Sequence, residues 1–431
     1  MLISKLLPAV IIFLGIFLLI KLRFFFILHP GRVLKCLKEG GVGKENISSF
    51  ILALAGTLGV GNIVGVAAGI AAGGPGTVIW LIFSASLSGV IKYAEVALVT
   101  DKNTENGMIG IIKCTFPHTG RGLSLIYAIL CLCLCFVMGN ALQTKAIAES
   151  LDATLGIKPV FLAMPLLLIL IPITLYGKVG IKKAVGIIIP AATVIYIALC
   201  LLVIIPNLYK LPSVIREIFS CAFSPRSAIG GIFGILFSRP VTEGFARGML
   251  SNEAGAGTSS LAHSTSKKSS AAVGGILGGA EVLFDTVLLC TLTAFTILLG
   301  KDEIFNGFGD LCDIFTLYAG ELSGTIIFLL TSAFALSTVL CWFYYGKVCA
   351  GEILGRPPKY FYFPTFIAVS VIGLFLPSTL YIDLCDFLLF LMTLIVSAVL
   401  IKSCDRIKIL SQQANLLFKN SDKGDWGSSK F

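Results

Sequence analysis

The chain has 431 residues, of which 56% are hydrophobic and only 13% charged, and its mean hydropathy is +0.95. Soluble domains carry about 25% charged residues, so this composition argues against a soluble protein with two or three cores. A membrane span takes about 20 apolar residues, and eleven such stretches use up most of the length, leaving no segment for a soluble catalytic or nucleotide-hydrolysing domain. The net charge of +10 reads as basic loops on a membrane protein rather than as a nucleic-acid surface. Most of the thirteen cysteines lie in apolar runs, among them Cys131, Cys133, Cys135, Cys200, Cys290 and Cys341, where free Cys behaves as a small hydrophobe. No CxxC pair occurs, so zinc ribbons and thioredoxin-type motifs are absent from the sequence.

In chain order, the apolar run at 6–20 follows Lys5 and is not succeeded by a small-x-small cleavage site, so it reads as a retained helix rather than a signal peptide. The pattern predicts spans at about 6–28, 47–73, 76–99, 122–149, 159–177, 183–206, 228–249, 273–299, 323–345, 361–377 and 383–401. Alternate connecting segments differ sharply in charge. One set holds 24 of the 33 basic residues and the opposite set six, while Lys92, Lys145 and Arg239 lie inside spans. The positive-inside rule then places the N-terminus outside and the C-terminus in the cytoplasm. Loop 300–322, rich in Asp and Glu, faces out, and Cys221 and Cys312 fall on that same side as a candidate pair whose geometry is open. Beyond 405 the composition turns polar, and the ending from Asn420 reads as a flexible cytoplasmic tail.

The second span contains Gly56-Thr57-Leu58-Gly59-Val60-Gly61-Asn62-Ile63-Val64-Gly65, with Gly59 about twelve residues, or ~18 Å, from its start and so near mid-membrane. Gly61, Gly65, Gly69 and Gly73 form a small-xxx-small stripe that suits close helix packing. That stripe leaves unexplained why Gly59 and Gly61 crowd beside Asn62, an amide costly to bury without a partner. A broken helix explains it: unwound carbonyls coordinate a cation, and the half-helix N-terminus receives a carboxylate. The string also grazes a dinucleotide fingerprint, but Val64 takes the place of the third glycine and no strand precedes it. The seventh span mirrors the second, with Gly230-Gly231-Ile232-Phe233-Gly234 followed by Ser238-Arg239-Pro240. Without the first helix, ten spans divide into five and five, each half led by an interrupted helix entering from opposite sides. That arrangement points to a secondary transporter with a midplane site, the alternative being two kinked helices in a non-transporting bundle.

Several polar residues inside spans are further candidates. Gln143 reads either as a ligand for a small zwitterion or as interhelical glue. Ser337 and Thr338 form a hydroxyl pair suited to a hard monovalent cation, or bond their own i−4 carbonyls. Asp285, with Glu281 one turn away, is a functional candidate as an intramembrane carboxylate, or is neutralised by Lys145 or Arg239. Lys92 and Glu95 read as snorkelling side chains near a cytoplasmic helix end. The three histidines, His29, His118 and His263, all fall at predicted cytoplasmic ends or loops. No nucleophile–base pair sits mid-membrane, which argues against an enzyme.

These residues resemble the alanine or glycine:cation symporters of the amino-acid–polyamine–organocation group. The likeness rests on residues 56–67 (Gly-Thr-Leu-Gly-Val-Gly-Asn-Ile-Val-Gly-Val-Ala), then Gly73-Gly74-Pro75-Gly76 and Lys92-Tyr93-Ala94-Glu95. A second block is Arg247-Gly248-Met249-Leu250-Ser251-Asn252-Glu253-Ala254-Gly255-Ala256-Gly257, followed by Ala262-His263 and Phe284-Asp285-Thr286. The resemblance runs from about 45 to about 400 and includes Gly139-Asn140, Gln143, Ser337-Thr338 and Tyr344-Tyr345-Gly346.

The resemblance implies an all-α membrane protein of eleven transmembrane helices, with a leucine-transporter-like inverted five-helix repeat and one extra N-terminal helix. Its parts would be an N-terminal helix and basic loop (1–46), a first repeat (47–206), a second repeat (207–401) and a polar cytoplasmic tail (402–431). It further implies an amino acid held by Gly59, Gly61, Asn62, Gln143, Gly230, Gly231 and Phe233, and sodium held by Gly59, Asn62, Ser337 and Thr338. The 251–257 signature then falls in the cytoplasmic loop after the second broken helix, where its small residues suit a tightly packed re-entrant or capping segment with an inner-gate role. Two departures stand out: Gly107-Met108-Ile109-Gly110 replaces the family's Gly-Gly-Pro-Met-Tyr-Tyr stretch, and Lys145 replaces a neutral residue. The expected function is import of alanine or glycine with sodium, in the plasma membrane of bacterial inner-membrane type. No cofactor, nucleic acid or obligate protein partner is expected. The alternatives are a proton-coupled permease for D-alanine or glycine, using Asp285 as proton or gating site, and a non-transporting membrane sensor.

Overall fold

The computed structural model describes residues 2–22, 44–104, 106–175, 177–223, 238–265, 270–300, 304–355 and 361–421. In hydrocarbon every backbone polar group must be satisfied within the protein, which a helix does within its own segment. Among the described residues all regular structure is accordingly helical.

The first helix, α1 (Leu2–Lys21), precedes a bent pair, α2 (Lys44–Thr57) and α3 (Val64–Gly73). Next come α4 (Thr77–Lys102), the short α5 (Met108–Thr115), and α6 (Gly120–Phe136). A π-helical stretch at Val137–Ala141 joins α6 to α7 (Leu142–Leu155). Then α8 (Ala163–Leu175) leads to α9 (Gly177–Ile204) and to α10 (Leu211–Ala222). After residue 238 the chain forms α11 (Arg239–Asn252), the five-residue α12 (Ser259–His263) and α13 (Ala271–Val282). A second π-helical stretch, Leu283–Cys290, continues into α14 (Thr291–Gly300). The remaining helices are α15 (Phe308–Ala319), α16 (Leu322–Leu354), α17 (Tyr362–Ile372), α18 (Ser378–Lys402) and α19 (Cys404–Ser421).

Six of the described helical segments are long and apolar enough to cross a bilayer, and the pair α2 and α3, bent by 59°, makes a seventh. The protein is thus a multi-pass membrane protein. By length and apolarity this falls short of the eleven spans read from the sequence. Leu6–Lys21, Pro159–Leu175 and Tyr362–Ile372 are apolar but shorter, and the 14-residue α11 is both short and polar although much of it is buried. The candidate pair Cys221 and Cys312 is not bridged; both thiols are free. The polar stretch after 405 is not simply a tail, because α19 buries Ile407, Leu410 and Ala414 and packs against α4 and α13.

The centre of the bundle is α4, whose buried face receives α13 and α11. Small residues permit the close approach. A Cβ at Gly278 would lie 2.6 Å from Val96 Cγ2 and 2.9 Å from the Lys92 carbonyl oxygen, and one at Gly244 would lie 2.9 Å from the Leu81 nitrogen. Helix α1 lies along α4 and α18. The long α16 packs on α6, α7 and α9, with Trp342 pressed onto Gly139. Helix α10 buries Val214, Ile218 and Ala222 while exposing Ile215 and Phe219, the pattern of a helix lying in a membrane interface.

Because backbone atoms, which cannot swing aside, line the α4–α13 contact, Gly278→Val should cost about 1–3 kcal/mol. A clear drop in melting temperature in detergent is expected. Gly186→Ala, on a helix face with open space around it, should leave the melting temperature within error.

Candidate functional site

The chain between α2 and α3 leaves the helix at Gly59, whose backbone is extended (φ −104°, ψ −154°), makes one 3-10 turn at Val60–Asn62 and resumes at Val64. Unwound or frayed backbone deep in a membrane protein needs external partners, and α16 supplies three. Thr338 Oγ1 donates to the Ala55 carbonyl at 2.9 Å, Trp342 Nε1 to the Gly56 carbonyl at 3.2 Å, and the Cys341 thiol to the Leu52 carbonyl at 3.0 Å. The freed N–H of Val60 donates to Gln143 Oε1 at 3.1 Å, while Gln143 Nε2 donates to the Met138 carbonyl, left available by the π-helical stretch, at 3.1 Å. Gln143 is therefore oriented from both ends. A Cβ at Gly59 would lie 2.8 Å from both Gln143 Oε1 and Thr338 Oγ1, so only glycine fits between them. Ser337, beside Thr338, keeps a buried hydroxyl with no hydrogen-bond partner among the described residues.

A second break faces the first. Helix α11 ends at Asn252, Glu253 takes a left-handed conformation (φ 55°), Gly255 and Gly257 follow at φ 88° and 74°, and α12 starts at Ser259. This is the 251–257 signature, and every residue from Ser251 to His263 is buried within the bundle, as the small residues of a tightly packed segment allow. Side chains of neighbouring elements hold it, since Gly255 N–H donates to Glu95 Oε1 at 2.7 Å and Tyr127 OH donates to the Ala256 carbonyl at 2.7 Å, and within the break Thr258 Oγ1 donates to Glu253 Oε2 at 2.6 Å. Gly230, Gly231 and Phe233, expected on the mirror break, lie outside the described residues. Among the described residues, the break that follows the helical turn against Gly61 is the one at 253–258.

The first break touches the last turn of α11, the turn that leads into the second. A Cβ at Gly61 would lie 3.3 Å from the Ser251 Cα and 3.5 Å from the Leu250 carbonyl oxygen. Asp285, in the second π-helical stretch, ties them together: it accepts from Asn62 Nδ2 at 2.6 Å, from Ser251 Oγ at 2.5 Å and from Thr286 Oγ1 at 2.8 Å. Asn62 Oδ1 is buried and unpartnered among the described residues. The alternative in which Lys145 or Arg239 neutralises Asp285 is not what the structure contains. Lys145 lies 3.9 Å from Glu149, and Arg239 is exposed.

A cavity of about 240 Å³ opens beside the first break, floored by Val60, Gly61 and Leu250, with Leu142 and Ala146 on its wall and Glu149, Asn306 and Ser378 toward its mouth. Away from this cavity a dense polar network fills the bundle. Lys92 Nζ donates to the Asn252 carbonyl at 2.7 Å and lies 3.9 Å from Glu281, whose carboxylate also meets His263 Nε2 at 2.5 Å and Ser259 Oγ at 2.8 Å. Lys92 and Glu95 are both 0% exposed, so they do not snorkel. The sequence reading left Ser251, Glu253 and Lys92 out of the site. The available signal was Glu281 on the glycine-rich α13, a helix whose small residues suit packing against another helix rather than lipid.

A profile of the sodium:alanine symporter family matches residues 1–414. The chain belongs to the sodium:alanine symporter family. An uncharacterized transporter of Haemophilus influenzae is 30% identical over 84% of this chain and 82% of its own length. A sodium/alanine symporter of Methanococcus maripaludis is 30% identical over 83% of each. A probable sodium/glutamine symporter of Bacillus subtilis is 27% identical over 91% of this chain and 84% of its own. Membership of a symporter family, not an enzyme family, implies a coupling cation.

Asn62 supplies the donor to Asp285 Oδ1, and a buried acceptor left without its donor costs about 1–3 kcal/mol. Asn62→Ala should therefore lower the melting temperature in sodium-free detergent buffer. Asn62→Asp, which sets two carboxylates against each other, should lower it further. A melting temperature for Asn62→Asp equal to or above that of Asn62→Ala would mean that Asp285 is not held this way.

Proposed function

We propose that the protein imports a small neutral amino acid, alanine or glycine, with sodium by alternating access. The observation that carries this reading is the contact of the helix break Gly59–Asn62 with Leu250–Ser251, the last turn before a second break, beside a cavity. The reading takes the architecture to be eleven helices in a leucine-transporter-like inverted repeat (47–206 and 207–401), with helix 1–46 added before it and 402–431 after it. The N-terminus is then outside, and the cavity mouth with Glu149, Asn306 and Ser378 opens outward.

In this reading the substrate carboxylate docks at the positive end of α3, where the peptide N–H groups of the first turn lack intrahelical partners. Gly59, Gly61, Asn62 and Gln143 line the substrate site, with Leu250 and Ser251 opposite. The glycine-lined break, with Leu142 and Leu250 beside it, favours a small apolar side chain such as that of alanine. Gly59, Asn62, Ser337 and Thr338 hold the cation, an assignment supported by the buried hydroxyl of Ser337 and the carbonyls that α16 already contacts. The network of Lys92, Glu95, Asn252 and Glu281 closes the path to the cytoplasm and must part for release. A second reading, proton coupling, draws on Asp285, whose buried carboxylate gathers three neutral donors and, among the described residues, no direct cation.

Uptake of labelled alanine and glycine into proteoliposomes, with sodium or choline outside, tests the proposal. Sodium-dependent accumulation is expected, and its absence for both substrates would overturn the reading. Uptake driven by a pH gradient alone and abolished by Asp285→Asn would select proton coupling. The paired change Ser337→Ala with Thr338→Val removes two hydroxyl ligands and should raise the sodium concentration for half-maximal uptake about tenfold or more, since about 1.4 kcal/mol corresponds to a factor of ten. An unchanged sodium dependence would move the ion elsewhere.

A further inference from the structure

Away from the two breaks, α4 and α18 both end at one face of the protein, and their last residues, Lys102 and Lys402, line a cavity of about 300 Å³. Two helices long enough to cross the bilayer end together here, which sets this cavity at headgroup level. Its depth is apolar: Leu98 and Ile111 lie there, each about 1% exposed. The rim is cationic and hydroxylic, with Lys102, Lys402 and Arg406 joined by Thr115 and Ser403.

The three cations are not equivalent. Arg406 is engaged by Asp101 through both of its fork nitrogens, with Nε to Oδ2 at 2.9 Å, so its charge is largely answered. Lys402 Nζ stands 4.5 Å above the Phe116 ring. Neither Lys402 nor Lys102 takes part in an ion pair among the described residues. Nearby Lys113 is already paired with Glu352.

We propose that this cavity binds the phosphodiester headgroup of an anionic phospholipid. The phosphate sits between Lys102 and Lys402, hydroxyls of Thr115 and Ser403 donate to it, and the glycerol end rests on Leu98 and Ile111. The apolar floor and the level of the helix ends select a lipid over a free anion, which would gain nothing from Leu98 or Ile111. Basic pockets between transmembrane helices are the sequence-readable form of such sites. Because the site joins α4, α5, α18 and α19, an occupying lipid would bridge the central helix to the C-terminal one.

The lysines also complement the C-terminal dipoles of α4 and α18, so the test reads affinity and not stability. Binding of phosphatidylglycerol, phosphatidylcholine and inorganic phosphate to the purified protein in neutral detergent is measured by native mass spectrometry. Phosphatidylglycerol is expected to be retained well above phosphatidylcholine, with no competition from inorganic phosphate. A surface cation near a charged membrane contributes about fivefold in binding, so Lys102→Gln with Lys402→Gln should weaken retention about 25-fold. Lys158→Gln with Arg216→Gln, at exposed positions elsewhere, should leave it unchanged. As an independent readout on the unmutated cavity, phosphatidylglycerol should slow alkylation of Cys114, an exposed thiol on the cavity wall. Equal retention of phosphatidylcholine, displacement by inorganic phosphate, wild-type affinity in the double variant, or unprotected Cys114 would each overturn the proposal.

Discussion

The carboxylate of Asp285 is the point on which the two helix breaks depend. Buried charge in a low-dielectric interior is costly unless it is fully hydrogen-bonded, and the bonds that answer this one come from different segments: Asn62 on the first break, Ser251 at the edge of the second and Thr286 beside it. Removing any one donor leaves the buried carboxylate short of a partner. Register between the breaks is thus set by electrostatics as much as by packing. The π-helical stretch at Leu283–Cys290 belongs to the same arrangement, since such bulges re-aim side chains inside a helix and recur at functional sites.

Around that point the interior divides unequally. On one side lie the cavity and a wall of Leu142, Ala146 and Leu250; on the other lie Lys92, Glu95, Glu281 and His263, packed with hydrogen bonds. Polar networks of this kind are rigid while complete and costly when partly satisfied, a property suited to a gate that has two discrete arrangements. The first break shows the same economy, since its carbonyls and N–H groups are met by α16 and Gln143 rather than by water.

Much of this was legible in the residues. The crowding of Gly59 and Gly61 beside Asn62 signalled the first break, and Asp285, Gln143 and Thr338 all meet it or its partners. The second break was hidden by the logic of hydropathy. Helix α11, with the sequence Arg-Pro-Val-Thr-Glu-Gly-Phe-Ala-Arg, faces other helices and not lipid, so it need not be apolar. The small residues of 251–257 signalled a packed segment, but not that it follows directly on the helical turn against the first break. Lys92 and Glu95 misled in a related way: their distance from the helix end suggested a solvent-reaching side chain, whereas their partners, the Asn252 carbonyl and the Gly255 N–H, lie far away in sequence. Helix α19 shows the reverse case, because its polar composition concealed a buried stripe of Ile407, Leu410 and Ala414.

The central claim is that substrate and ion meet where Gly61 touches Leu250 and Ser251. Thiol modification at Leu250→Cys, at the floor of the cavity, tests it most directly. With sodium present, alanine should slow the reaction of that thiol with a small methanethiosulfonate reagent, and with choline in place of sodium the protection should vanish. A reaction rate that alanine and sodium together leave unchanged would contradict the account.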